Sequence, residues 1–153
     1  MAKQNFLKDV YEKDQGVRNE ATEKRNKDPL NKTLDYQIAS DLMDVDAKNL
    51  IKIECYLKKY GYPPVFFETE AKQAPWLVIH HSATTKDRRR NFKYLKQGHE
   101  SGALRENSFA FYLDRLYTLE NGKRFDMGSR YKESERIKKL LEELYLDNKK
   151  GGL

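Results

Sequence analysis

A chain of 153 residues with 38% hydrophobic and 12% aromatic side chains can close one modest core, which excludes a fully disordered chain. Apolar runs such as Trp76–Ile79 fall far short of the ~20 residues that cross a bilayer. No basic, apolar and small-residue signal opens the chain, so no membrane association is expected and the expected location is cytoplasmic. The net charge of +6 is concentrated: residues 71–105 carry 8 basic and 2 acidic groups, centred on Lys86, Arg88, Arg89, Arg90, Lys93 and Lys96.

Phe6, Leu7, Val10, Val17 and Ala21 recur at helical spacing and predict an amphipathic helix over residues 3–26, ended by Lys27-Asp28-Pro29. A second helical stretch is expected from Leu34 to Met43. A third begins at Asp44 or Asp46 as N-cap, carries Leu50, Ile53, Leu57 and Tyr60 on one face, and stops at Gly61 before Pro63 and Pro64. Residues 61–68 read as an extended surface segment. Trp76–Ile79 fits a buried strand or a buried helical turn, and its flanks favour helix, with Pro75 placed in a first turn. Helices follow over Lys86–His99 and from Asn107 or Ser108, where Phe109, Tyr112, Leu113 and Leu116 share a face. Asn121-Gly122 signals either a small hairpin near residues 117–127 or a turn between helices. A last helix spans Tyr131–Leu146, burying Ile137, Leu140, Leu141 and Leu144. The sum is a mainly α, single-domain bundle of five to seven helices over residues 1–147, with a frayed tail at 148–153.

Chemistry-bearing residues are few. Asp14 and Arg18 stand four apart and can pair on one helix face, with Gln15 beside them; such pairs are ordinarily surface decoration. His80 and His81 are adjacent, so on a helix their side chains diverge by roughly 100° and do not share one metal ion. With His99 the only other histidine and no H-E-x-x-H spacing, no metal site and no cofactor are expected. A histidine after an apolar run can act as a general base when a carboxylate orients its second ring nitrogen, and Asp114 is the candidate carboxylate. Arg115 beside it is either a brace or an anion receptor. Asp46 and Asn49 read first as helix-start capping groups and second as pocket residues. Neither a G-x-S-x-G elbow nor a phosphate-gripping P-loop is present. Cys55, the single cysteine, excludes a disulfide framework and reads as an inert buried thiol.

Five motifs in register carry a resemblance. Asp14-Gln15-Gly16-Val17-Arg18 resembles D-Q-x-x-R, and Val45-Asp46-Ala47-Lys48-Asn49 resembles V-D-x-x-N, with Tyr60-Gly61-Tyr62-Pro63 matching a G-W-P close. Trp76-Leu77-Val78-Ile79-His80-His81 resembles W-L-x-x-Q-H, and Tyr112-Leu113-Asp114-Arg115 resembles Y-L-x-D-R before a turn glycine, here Gly122. Together they resemble the bacterial domain-of-unknown-function family 6624 over residues 7–130. The resemblance implies a helix-dominated domain and brings no established activity. It implies that Asp14, Gln15, Arg18, Asp46, Asn49, His81, Asp114 and Arg115 converge on one pocket. Two departures stand out: His80 replaces the pattern's glutamine, and Gly122–Arg130 keeps only the glycines of G-x-P-Q-x-Y-G-T-Q and, in Ser129, an equivalent of its threonine, ending in Arg130. That segment reads as a changed or a lapsed site.

Two functional readings follow. The first is a pocket for a small polar or anionic ligand, with His81 and Asp114 as the acid/base pair of a hydrolase or transferase, and Asp14, Gln15, Arg18, Asp46, Asn49, Arg115 and Arg130 as binding groups. The second is a basic interaction module in which Lys86, Arg88, Arg89, Arg90 and Lys93 contact nucleic acid or an acidic protein.

Overall fold

Leu7, Val10, Asp14 and Ala21 are the buried positions of α1 (Ala2–Lys27), which ends with Lys24, Arg25 and Lys27 against the negative end of its dipole. The structure, a computed structural model, describes residues 1–147; the expected tail at 148–153 lies outside the described residues. Asn31 caps α2 (Lys32–Tyr60) by accepting from the Leu34 amide at 3.0 Å, and Gly61, at φ 73°, closes it. The second and third expected helices are therefore one helix of 29 residues, about 44 Å long. Asp44 and Asp46 begin nothing, because no Gly or Pro lies between Lys32 and Tyr60 to break the hydrogen-bond ladder.

Contacts at Arg25–Asp35 (3.4 Å), Arg18–Asp46 (2.8 Å) and Phe6–Tyr56 (rings 6.1 Å apart) step along α1 and α2 in opposite directions, so the two form a long antiparallel hairpin. Against it packs α3 (Thr69–His80), whose Ala71, Ala74, Pro75, Trp76, Val78 and Ile79 are all buried. A helix buried on nearly every side shows no apolar stripe, which is why four apolar residues could not reveal their period. Pro75 sits mid-helix rather than in the first turn, leaving the Ala71 carbonyl without its usual amide donor.

Thr84 caps α4 (Thr85–Glu100) through the Asp87 amide, and α5 (Glu106–Asn121) buries the expected Phe109, Tyr112, Leu113 and Leu116. Both pack on α3, and α6 (Glu133–Glu143) closes over α5 with Ile137 and Leu140. The result is all-helical, with six helices and no strand among the described residues. The hairpin near 117–127 does not form. Gly122, at φ 70°, is the left-handed cap of α5, since the conformational freedom that suits an Asn-Gly hairpin turn equally suits a helix end. Cys55 is exposed rather than buried, because Ile53, Tyr56 and Leu57 take the inward face of that turn. No helix among the described residues is long and apolar enough to cross a membrane.

Candidate functional site

Residues 7, 10, 14, 17 and 21 of α1 follow the alternating 3–4 spacing of a core-facing stripe, and an aspartate stands at its centre. Asp14 is 1% exposed. An isolated carboxylate there would be costly, and the fold surrounds it with donors. Gln15 donates to Oδ2 at 2.7 Å, one guanidinium nitrogen of Arg18 donates to Oδ1 at 3.1 Å, and His81 Nδ1 lies 3.0 Å from the same oxygen. Burial pushes the Asp14 carboxyl upward, but the His81 hydrogen bond and charge, Arg18 and Gln15 outweigh it and hold the group below the ordinary carboxylate range. An ionised carboxylate only accepts, so Nδ1 of His81 carries the proton and donates. The orienting carboxylate is thus Asp14, 67 residues away in sequence, and not Asp114.

Arg18 binds a second carboxylate with its other terminal nitrogen, reaching Asp46 at 2.8 and 3.0 Å. Both of its terminal nitrogens are engaged, which makes it a brace between α1 and α2 rather than a free anion clamp. Asp46 projects from the middle of α2. Asn49, one turn further on, is buried, and its side-chain nitrogen has no partner among the described residues. Ligand atoms of Asp14, Asp46 and His81 lie within 4.8 Å of one another, close enough to hold a metal ion. The positive charge those carboxylates call for is already supplied by Arg18, so a metal would have to displace it.

His81 closes α3 as its C-cap residue, with its side chain 21% exposed, and no hydrogen bond among the described residues engages its Nε2. His80 points elsewhere, its ring 5.4 Å from that of Trp76 and 4.8 Å from that of Phe111. Burial, together with the positive charges of Arg88, His81, Arg115 and Arg18, pushes its pKa down to about 3, so it is neutral at physiological pH.

The other expected residues lie beyond Phe111. A cavity of about 550 Å³ opens between α5, the 122–131 segment and α6, with Phe111, Asp114, Arg115 and Arg124 in its wall. Asp114 is gripped by both nitrogens of the Arg136 fork, one at 2.7 Å, and Arg136 also donates to the Phe125 carbonyl at 3.0 Å. Arg115 is exposed and makes no hydrogen bond or ion pair among the described residues. Arg130 is exposed and outside the cavity wall. The motif residues therefore gather in two neighbouring groups, Asp14–Gln15–Arg18–Asp46–His81 and Asp114–Arg115 with the cavity, instead of a single concavity.

The basic segment is largely neutralised from within. Arg89 binds Glu120 at 2.5 and 2.8 Å, Arg90 binds Glu54 at 2.6 Å and Asp87 at 2.7 Å, and Arg88 is buried. Lys86 and Lys93 remain exposed, the latter over the Tyr94 ring. Arg136 and Glu120, absent from the sequence-based candidates, take part as partners; their ion pairs join separate helices and leave no local spacing signal.

No family model matches this chain, and neither the curated proteins nor the solved structures contain a match.

Proposed function

We propose that this chain binds a small polar or anionic molecule beside His81 and that His81 transfers a proton to or from it, in the manner of a hydrolase or transferase. The observation that carries the reading is the buried Asp14 carboxylate 3.0 Å from His81 Nδ1, with Nε2 left unengaged. A carboxylate on Nδ1 fixes the tautomer and ring orientation and stabilises the imidazolium when Nε2 takes up a proton, which is the arrangement general acid–base chemistry requires. Arg18 and Gln15 are positioning residues, since they act by holding Asp14 and not by touching a ligand. Membership of family 6624, resting on the five motifs, belongs to the same proposal, and four of those motifs supply residues to the two groups described above.

The test is a thermal-shift panel of nucleotides, sugar phosphates, dicarboxylates and amino acids against the unaltered chain and His81→Asn, followed by hydrolysis assays on any compound that binds. At least one compound should raise the melting temperature and be turned over by the unaltered chain and not by His81→Asn. A panel without a hit, or turnover that His81→Asn retains, overturns the reading. The nucleic-acid reading gains nothing from α4, where three of its five expected cations are buried or already paired.

A further inference from the structure

Among the described residues, five arginines form salt bridges: Arg18, Arg25, Arg89, Arg90 and Arg136. Those without one are exposed, except Arg88, which is 5% exposed and has no acidic partner. This inverts the usual order, in which the most buried cation is the one most strictly paired. One terminal nitrogen of Arg88 donates to the Ser82 carbonyl at 2.9 Å, while its Nε and its other terminal nitrogen are buried with no partner among the described residues. The neighbours add donors and positive charge. Tyr112 donates to the Arg88 carbonyl at 2.6 Å, which fixes α5 against α4 and brings Arg115, one turn along, near enough for its charge to act on both Arg88 and His80. His80 Nδ1 is itself buried and has no partner among the described residues.

We infer that Arg88, Arg115 and His80 form an anion subsite that takes the phosphoryl group of a small molecule, whose remainder occupies the cavity on the Arg115 side. Two guanidinium groups, neither of them in an ion pair among the described residues, match a dianion better than a single carboxylate, and the two unpartnered nitrogens of Arg88 leave it donors to spare for an oxyanion. Neutral His80 can donate from Nδ1 without adding a third charge. A cavity of about 550 Å³ lies within the range that holds small ligands. This inference rests on the reading above in placing the ligand near His81, but its binding term is separable from proton transfer.

The experiment uses inorganic phosphate, with acetate and potassium chloride at matched ionic strength as comparison arms, read by melting temperature and calorimetry on the full chain. Phosphate at roughly 20 mM should raise the melting temperature by about 3 °C or more, with acetate and chloride giving no comparable rise. Arg115→Ala, an exposed position whose loss leaves the core intact, should abolish the rise, and Arg88→Lys, which keeps the charge but not the fork, should weaken phosphate binding about tenfold or more. His81→Asn should keep the phosphate response, which separates failure of the catalytic reading from failure of this one. Equal responses to phosphate, acetate and chloride, or a phosphate response unchanged in Arg115→Ala, would overturn the inference; a response to acetate alone would assign the subsite to carboxylates instead.

Discussion

Replacing His80 by glutamine should make the protein markedly less sensitive to mild acid. In the folded chain burial and the charges of Arg88, His81, Arg115 and Arg18 hold the His80 pKa at about 3, against an ordinary value of 6.5. The unfolded chain therefore binds a proton at this residue through a window in which the folded chain does not. Stability attributable to His80 is intact above about pH 6.5 and is lost progressively as the pH falls toward 3. At pH 5 the linkage amounts to RT ln(1 + 10^1.5), about 2 kcal/mol, and the residual exposure of the ring reduces this to about 1–2 kcal/mol. Glutamine keeps a hydrogen-bonding amide of similar reach without a titrating group, so any packing penalty is common to both pH values. Urea unfolding of both proteins at pH 7.5 and 5.0 isolates the effect as a difference of differences. Asp14 does not interfere, because its lowered carboxyl titrates below the ordinary value of 3.8. Equal losses of stability between the two pH values in both proteins would refute the argument that His80 is held neutral by its cationic surroundings.

Asp14→Asn removes the charge that Arg18 and His81 share, and should cost about 2–3 kcal/mol, at or just below the lower end of the range for breaking a buried pair because Arg18 retains some contact with water. It should also flatten the stability profile below about pH 4, where the depressed Asp14 group loses its contribution as it protonates; both effects are read by denaturant titration. Gly98→Ala should destabilise despite the helix propensity it gains, because a Cβ there would stand 2.6 Å from the Tyr62 ring; a net loss of about 1–2 kcal/mol is expected in urea midpoints. Arg18→Gln should free the Asp14, Asp46 and His81 ligand atoms, so that manganese or zinc at about 1 mM raises the melting temperature of this variant and leaves the unaltered chain unmoved.

The helices were legible because their signals are local. Apolar spacing marks α1, α5 and α6, and Gly61 marks the end of α2 by chemistry contained in a few residues. The false break in α2 came from weighing Asp44 and Asp46 as caps, although an aspartate can also stay within a helix and find a tertiary partner, as Asp46 does in Arg18. Parts of the site were legible in a way that motif spacing obscured. Asp14 and Asn49 occupy seam positions where the periodicity asks for apolar side chains, and Arg88 lies four and seven residues before Phe92 and Leu95 on the same buried face. A polar residue in an apolar register signals a buried polar contact, which the basic run around Arg88 disguised as surface charge. What no local pattern could supply was the partner. Asp14 meets His81 because α1 lies against α3, and Asp114 meets Arg136 because α6 folds over α5; both follow from the packing of whole helices.

The two adjacent histidines at the end of α3 show what that packing achieves electrostatically. Their side chains leave the helix in directions about 100° apart, so a single turn presents one imidazole to the carboxylates of α1 and α2 and the other to the arginines of α4 and α5. On the first side the charges are matched: Asp14 and Asp46 share Arg18, and His81 is fixed by what remains of Asp14. On the second they are not, since the charges of Arg88 and Arg115 both bear on neutral His80 and neither guanidinium has an acidic partner among the described residues. A helix bundle has no structural reason to bury an unmatched guanidinium when an apolar side chain would fill the space at lower cost. The imbalance is explained if the missing negative charge belongs to a ligand, and a molecule anchored there would lie against His80, whose ring is 5.7 Å from that of His81.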